Sequence, residues 1–235
     1  MNFREYVFAE PYFGWLCAGV QMTLLITALT TILSLVLGAV VAAFATSSSR
    51  TGRLVAKTYV SLFRNLPLVP LLLFLVFAMP GVFRFLTGRR FPVGMDFLLL
   101  VLGLSLNTSA YIAEILRSGI RALPAEHAFA ARVLGLKPLA IRISVVYPQA
   151  LRIVLPALGT RLIHNMKNSA IALVLPLPLE YMEVVGQAGR IAGQTFAWAE
   201  PLLFAAAVHL SLAILFSLIV NKLAREAQRK IEVSR

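Results

Sequence analysis

From Pro11 to Ser49 the chain runs 39 residues without one Asp, Glu, Lys or Arg. A helix rises about 1.5 Å per residue and the hydrocarbon core of a bilayer is about 30 Å thick, so about 20 apolar residues cross it. This run exceeds that length. It is also too long for the apolar region of a cleaved signal peptide, which spans at most about 15 residues. Lipid offers the backbone no hydrogen-bond partners, so a stretch like this must fold as a helix. Three further uncharged runs follow, at Asn65–Phe83, Phe97–Ala113 and Pro201–Asn221. Residues 150–175 are mostly apolar but carry Arg152, Arg161, His164 and Lys167. The pattern predicts five transmembrane helices, over 14–46, 56–83, 96–116, 150–175 and 201–224, the fourth with a polar face. The expected fold class is all-α and integral to the membrane, with residues 1–235 forming a single transmembrane domain.

Composition closes the alternatives. Of the 235 residues, 59% are AVILMFWYC and only 14% are charged, and the mean hydropathy is +0.83. A chain this apolar is not disordered. It also has more apolar surface than one small globule can hide from water. Cys17 is the only cysteine, which excludes a disulfide scaffold. The net charge of +12 would point to nucleic acid in a soluble protein. In a membrane protein its placement matters more. Five spans put the termini on opposite sides. Segments 50–64, 117–152 and 222–235 hold 4, 6 and 5 Lys and Arg, while 1–10, 84–96 and 180–200 hold 1, 3 and 1. Cationic loops stay on the cytoplasmic side, so the N-terminus is expected outside and the C-terminus inside. Arg84, Arg89 and Arg90 are the local exception. No internal repeat or low-complexity linker is present. Phe3, Val7 and Phe8, beside Arg4, Glu5 and Glu10, fit a short interfacial helix or a frayed end.

The cytoplasmic segment 120–148 is long for a connection between spans. Pro124 suits the first turn of a helix, and Glu126 then sits near its positive end. Ala128, Ala130 and Ala131 favour helix. Gly135 can close it in a left-handed conformation. Pro138 can open a second short helix, with Leu139, Ile143 and Val146 at helical spacing, and Pro148 ends the segment. The expectation is a pair of short helices with a small-residue surface, either docking a partner or simply solvated.

Ala130-Ala131, then Gly135 four residues on, then Pro148, resembles the "EAA" loop of permease subunits of ATP-binding-cassette importers. The runs FRNLPL at 63–68, YIAEILRSGI at 111–120, AARVLGL at 130–136, YPQALRIVLPALG at 147–159 and KNSA at 167–170 are similar to the polar amino-acid uptake permeases. The resemblance covers about residues 14–226. It implies a five-helix permease of the type I importer fold (MetI-like) in the bacterial inner membrane. Two such subunits, identical or sibling, would line the path. Two cytosolic ATPase subunits would bind ATP and Mg, and a periplasmic amino-acid-binding protein would deliver the substrate. The coupling residues implied are Phe129, Ala130, Ala131, Arg132, Leu134 and Gly135. Phe129 stands where the family motif has its glutamate. A phenylalanine cannot make that acid's hydrogen bond, so docking is expected to be more apolar, with Arg132 supplying charge.

This division of labour agrees with what the sequence lacks. It has no GxxxxGK[ST] run to bind ATP, and no HExxH, CxxC or GxSxG. No cofactor and no catalytic role are expected for this chain. Asn107-Thr108-Ser109 matches a glycosylation sequon but lies inside a span and is read as chance. His127 is read as a solvated or interface residue, and His209 as a packing or pore residue.

Charges within a membrane bundle face protein or water and are functional by default. At about 100° per residue, Arg161, His164, Asn165 and Asn168 share a face of the fourth span, and Lys167 lies off it. With Ser169 they form the candidate substrate path. Arginine's planar fork matches a carboxylate. The family resemblance places acids or amides more often at the Arg161 position, so an arginine there implies an acidic substrate, glutamate or aspartate. The other readings are a structural pairing of Arg161 with Glu114 or a carbonyl, a permease for basic or neutral amino acids, and an ion-driven secondary transporter. The last usually shows paired halves, which this chain lacks. Glu180 and Glu183 are placed at the outer rim, in solvent or against a binding protein.

Overall fold

A computed structural model describes residues 2–92 and 94–232, and among these every regular element is helical. Five helices are long and apolar enough to cross a membrane: Tyr12–Ala45, Leu68–Thr87, Asp96–Ala122, Pro138–Val174 and Ala199–Glu226. A short helix α1 (Phe3–Tyr6) precedes α2 (Tyr12–Ala45). The last three residues of the basic C-terminal segment lie outside the described residues.

The second span differs from expectation at its start. Residues 50–65 form a separate helix α3 (Arg50–Asn65), capped by the Ser49 side chain accepting from the Gly52 N–H. Leu66 and Pro67 are extended, with ψ of 126° and 135°. The cause is Pro67, which disfavours helical geometry at Leu66. The span then begins as α4 (Leu68–Leu73), passes through a π-turn at Phe74–Ala78 and continues as α5 (Met79–Thr87). Within this stretch Pro80 lacks an N–H and crowds the carbonyl four residues back. The widened turn absorbs this, and the Met79 N–H reaches Phe74 O.

The fourth span repeats the device. After α6 (Asp96–Ala122) come α7 (Ala125–Val133) and α8 (Pro138–Ile141). A π-turn at Arg142–Val146 then leads into α9 (Tyr147–Asn168), with Pro148 in the same relation to it as Pro80 to the first. A 3₁₀ turn, Ser169–Val174, ends this span. α10 (Val184–Thr195) and α11 (Ala199–Glu232) complete the chain.

α2 is the central post. It is apolar all round, but its buried stripe is small and hydroxylated: Gly19, Thr23, Thr27, Thr30, Ser34 and Gly38. Helices in lipid gain nothing from hiding apolar surface from one another, so close backbone approach drives their packing. Thr27 and Thr30 return their hydroxyls to the carbonyls of Thr23 and Ile26, both at 2.7 Å. This stripe faces α6 and α10. Ile26, Leu72, Leu100 and Leu104 form a buried apolar cluster joining α2, α4 and α6. Large residues such as Ile32, Val36, Leu210 and Leu218 point outward, where lipid would meet them.

At Gly19 the approach is closest to backbone. A β-carbon there would lie 2.8 Å from Val184 Cα and 3.0 Å from Val184 N. Backbone atoms cannot move aside as a side-chain tip can. Gly19→Ala is therefore expected to destabilise the bundle by about 1–3 kcal/mol, read as a lower thermal midpoint in detergent. Gly193→Ala, where a β-carbon meets nothing within 4 Å, is expected to leave the midpoint unchanged or raise it.

Candidate functional site

The polar residues of α9 enter one connected network. Arg161 donates through Nη2 to Asn107 Oδ1 at 2.9 Å and to Thr108 Oγ1 at 3.3 Å, both on α6. Thr108 passes its own proton to Asn165 Oδ1 at 2.9 Å. Asn165 Nδ2 donates to Thr30 Oγ1 of α2 at 2.8 Å. Asn107 Nδ2 reaches the Phe63 carbonyl of α3 at 2.8 Å. Four helices are thereby tied by side chains that would be costly to bury alone. Thr30, Thr108 and Asn165 are fully buried or nearly so.

The Arg161 guanidinium also stacks on Tyr111, its carbon 3.9 Å from the ring centroid. Arg64 approaches the same ring at 5.2 Å, and Tyr111 donates its hydroxyl proton to the Arg64 carbonyl at 3.3 Å. Arg161 Nε is buried without a hydrogen-bond partner. The pairing with Glu114 does not occur: Glu114 forms a two-point pair with Arg117, one turn further along α6.

The other path candidates divide. His164 and Lys167 are exposed on the outer side of α9, Asn168 is half-buried, and Ser169 is buried with its hydroxyl bonded to Met166 O at 2.7 Å. The shared face thus brings Arg161 and Asn165 together and leaves His164 outside the network. Sequence reasoning missed Asn107 and Thr108, set aside as a chance sequon, and Tyr111. Their spacing on α6, opposite the polar stripe of α9, was the available signal.

The hairpin of α7 and α8 stands at the end of the bundle where α2 and α6 finish. Gly135 has φ 81°, and the Leu136 N–H closes back on Ala131 O at 3.2 Å, the left-handed helix ending that glycine permits. His127 Nδ1 meets Gln149 Oε1 at 2.5 Å, fastening α7 to α9. The expected small-residue outer surface is not what forms. Ala131 is buried and Ala128 half-buried on the inner face. Phe129, Val133 and Leu134 are 66%, 71% and 81% exposed, and Ala130 and Arg132 are exposed with them. The helical period turns Ala128 and Ala131 inward, where the hairpin approaches the bundle, and leaves Ala130 and the large apolar side chains out.

Glu183 corrects the expectation of a rim residue. It is fully buried. Its carboxylate caps α10 by accepting from the Gly186 N–H at 3.0 Å and takes the Thr23 hydroxyl at 3.3 Å. His209 Nε2 lies 3.9 Å away. Burial pushes the Glu183 carboxyl above the usual carboxylate range, against the pull of these donors. Glu180 remains exposed. No group of three or more His, Cys, Asp or Glu that could hold a metal occurs among the described residues.

Comparison with known proteins places this arrangement. Over 216 residues the chain is 30% identical to the arginine transport system permease protein ArtQ of Bacillus subtilis (strain 168), covering 92% of this chain and 94% of that protein. It is 37% identical over 159 residues to the general L-amino acid transport system permease protein AapQ of Rhizobium johnstonii, where the match spans 65% of this chain but only 39% of the relative. A chain from the crystal structure of an amino acid ABC transporter with histidines superposes with a TM-score of 0.78 at 32% identity, covering 92% of this chain and 95% of that one. A chain of the inward-facing MetNI methionine ABC transporter superposes at 0.74 with 21% identity, covering 93% and 99%, a likeness of fold. Residues 34–229 match the model of the binding-protein-dependent transport system inner membrane components, and the chain belongs to that family.

Proposed function

We propose that this chain is the permease subunit of an ATP-driven amino-acid importer in the bacterial inner membrane, and that its substrate is acidic. In this reading the N-terminus is outside and the C-terminus cytoplasmic. A second permease, identical or sibling, completes the path. Two ATPase subunits bind ATP and Mg, and a periplasmic binding protein delivers the amino acid. The relatives' roles in amino-acid transport support the general reading.

Arg161 is the observation that carries the acidic substrate. Its Nη2 is held by Asn107 and Thr108 and its plane by Tyr111, while Nε keeps an unused proton. A guanidinium fixed in this way loses little freedom on meeting a carboxylate. Asn165 and Ser169 continue the polar face, with Asn168 half-buried beside them and His164 on its exposed edge.

The second reading is a neutral or basic amino acid, favoured by the arginine permease among the relatives. Every amino acid carries an α-carboxylate, and Arg161 could serve that group alone. Uptake into proteoliposomes holding the assembled importer separates the two. A charge-assisted hydrogen bond contributes about 1.5–3 kcal/mol, so Arg161→Gln is expected to reduce glutamate uptake by about 10- to 100-fold. A loss confined to acidic amino acids supports side-chain recognition. An equal loss for all substrates assigns Arg161 to the α-carboxylate or to holding the helices in register, and this outcome, like unchanged uptake, removes it from side-chain recognition.

Coupling runs through the hairpin. Of Phe129, Ala130, Ala131, Arg132, Leu134 and Gly135, the exposed five would sit in the ATPase cleft, with Phe129 and Leu134 as apolar contacts, while the buried Ala131 holds the hairpin to the bundle. Phe129→Glu, which restores the acid of the family motif, is then expected to weaken docking, because it exchanges apolar burial for a desolvated charge. Retention of the ATPase on the purified permease should fall. Stronger retention would show that the groove still wants the acid.

A further inference from the structure

Between the last turn of α2, the length of α3 and the last turns of α6 lies a cavity of about 480 Å³. Its charged walls are Arg53, Lys57 and Arg64 from α3, and Glu114, Arg117 and Arg121 from α6. Glu114 is engaged by Arg117, so no second acid answers the other four cations. Arg53 spends Nη1 on the carbonyls of Ser47 and Ser48, at 2.9 and 2.7 Å, which closes the α2–α3 turn. Lys57 and Arg121 are exposed and enter no side-chain hydrogen bond or ion pair among the described residues.

Cations are expected at this end of a membrane bundle as a scatter over loops. That tendency does not explain their convergence on one concavity, nor its connection to the interior. The connection runs through Tyr111, whose ring is approached by Arg161 at 3.9 Å and by Arg64, a residue of the cavity wall, at 5.2 Å. Arg161, Arg64 and then Lys57 and Arg121 form a descending series of cations from mid-bundle to the loop end. Like charges around a low-dielectric cleft focus potential and raise the local concentration of counter-ions.

We propose that this basic cavity is the release vestibule for an anionic amino acid. The inference rests on the reading of Arg161 as a carboxylate-binding group. A substrate leaving Arg161 passes its carboxylate to Arg64, then to the exposed cations of the cavity, and so into the cytosol. The occupant is a small carboxylate. An anionic lipid headgroup, which would offer similar chemistry, is an outcome that the test excludes.

The test compares wild type with Lys57→Glu/Arg121→Glu in the assembled importer, reconstituted in neutral and in anionic vesicles. Glutamate uptake and ATP hydrolysis are measured together. Reversing two charges in a focusing cleft is expected to slow glutamate uptake about tenfold, more steeply than hydrolysis, so that more ATP is consumed per glutamate in both membranes. Lys222→Glu/Arg225→Glu, which reverses two exposed cations outside the cavity, is expected to behave as wild type and shows that charge reversal elsewhere does not slow uptake. Undiminished glutamate uptake in the Lys57→Glu/Arg121→Glu variant overturns the vestibule while leaving Arg161 intact. A defect seen only in anionic vesicles assigns the cavity to lipid, and a parallel fall of uptake and hydrolysis assigns it to coupling; both overturn the proposal. If wild type carries no glutamate, the acidic-substrate reading falls first and this inference falls with it.

Discussion

Polar side chains inside an apolar bundle have no water to fall back on, and the arrangement of the spans follows from how they are satisfied. Thr30, Asn165, Thr108, Arg161 and Asn107 form one hydrogen-bonded chain across α2, α9, α6 and on to the carbonyl of Phe63. Each link fixes a register between two helices. Sliding one helix by a residue would strand several buried groups at once, at roughly 1–3 kcal/mol each. The same chain orients the Arg161 guanidinium, so the element that fixes the spans also shapes the polar face proposed to meet the substrate.

Small residues and prolines supply the rest of the geometry. Gly19 and the threonines of α2 let α10 and α6 approach closely, and Glu183, buried against Thr23, caps α10 at that contact. Pro80 and Pro148 each follow a π-turn and set the course of the second and fourth spans. The hairpin between α6 and α9 is held from within by Ala131 and Ile141, and by the His127–Gln149 contact. Its outer face is left apolar. The proposed coupling surface and the Arg161 network are thus joined through α9, which carries Gln149 at one end and Arg161 and Asn165 further along.

The fold was legible because its signal is coarse. Uncharged runs near Pro11–Ser49 and Pro201–Asn221 can only be helices in lipid, and Gly135 announces a helix ending by its backbone freedom. The break at Leu66-Pro67 was also written in the chain, but the apolar run on either side masked it. The site was half legible. The polar stripe of α9 pointed to Arg161 and Asn165. Their partners on α6 are ordinary residues whose meaning depends on which face meets α9, and periodicity along one helix does not give that. Glu183 misled for a related reason: a carboxylate between spans reads as exposed until Thr23, the α10 amides and His209 are brought around it. Ala128 and Ala131 of the hairpin, turned inward while Ala130 stays exposed, show the same limit, since composition gave the helix but not its rotation.

The most direct measurement is a structure of the assembled importer, captured in lipid with glutamate in the path. A substrate carboxylate oxygen is expected at about 3 Å from a nitrogen of the Arg161 guanidinium, with Tyr111 still stacked on its plane. Glutamate bound elsewhere, with no carboxylate oxygen within hydrogen-bond distance of the Arg161 guanidinium, would contradict recognition at this residue.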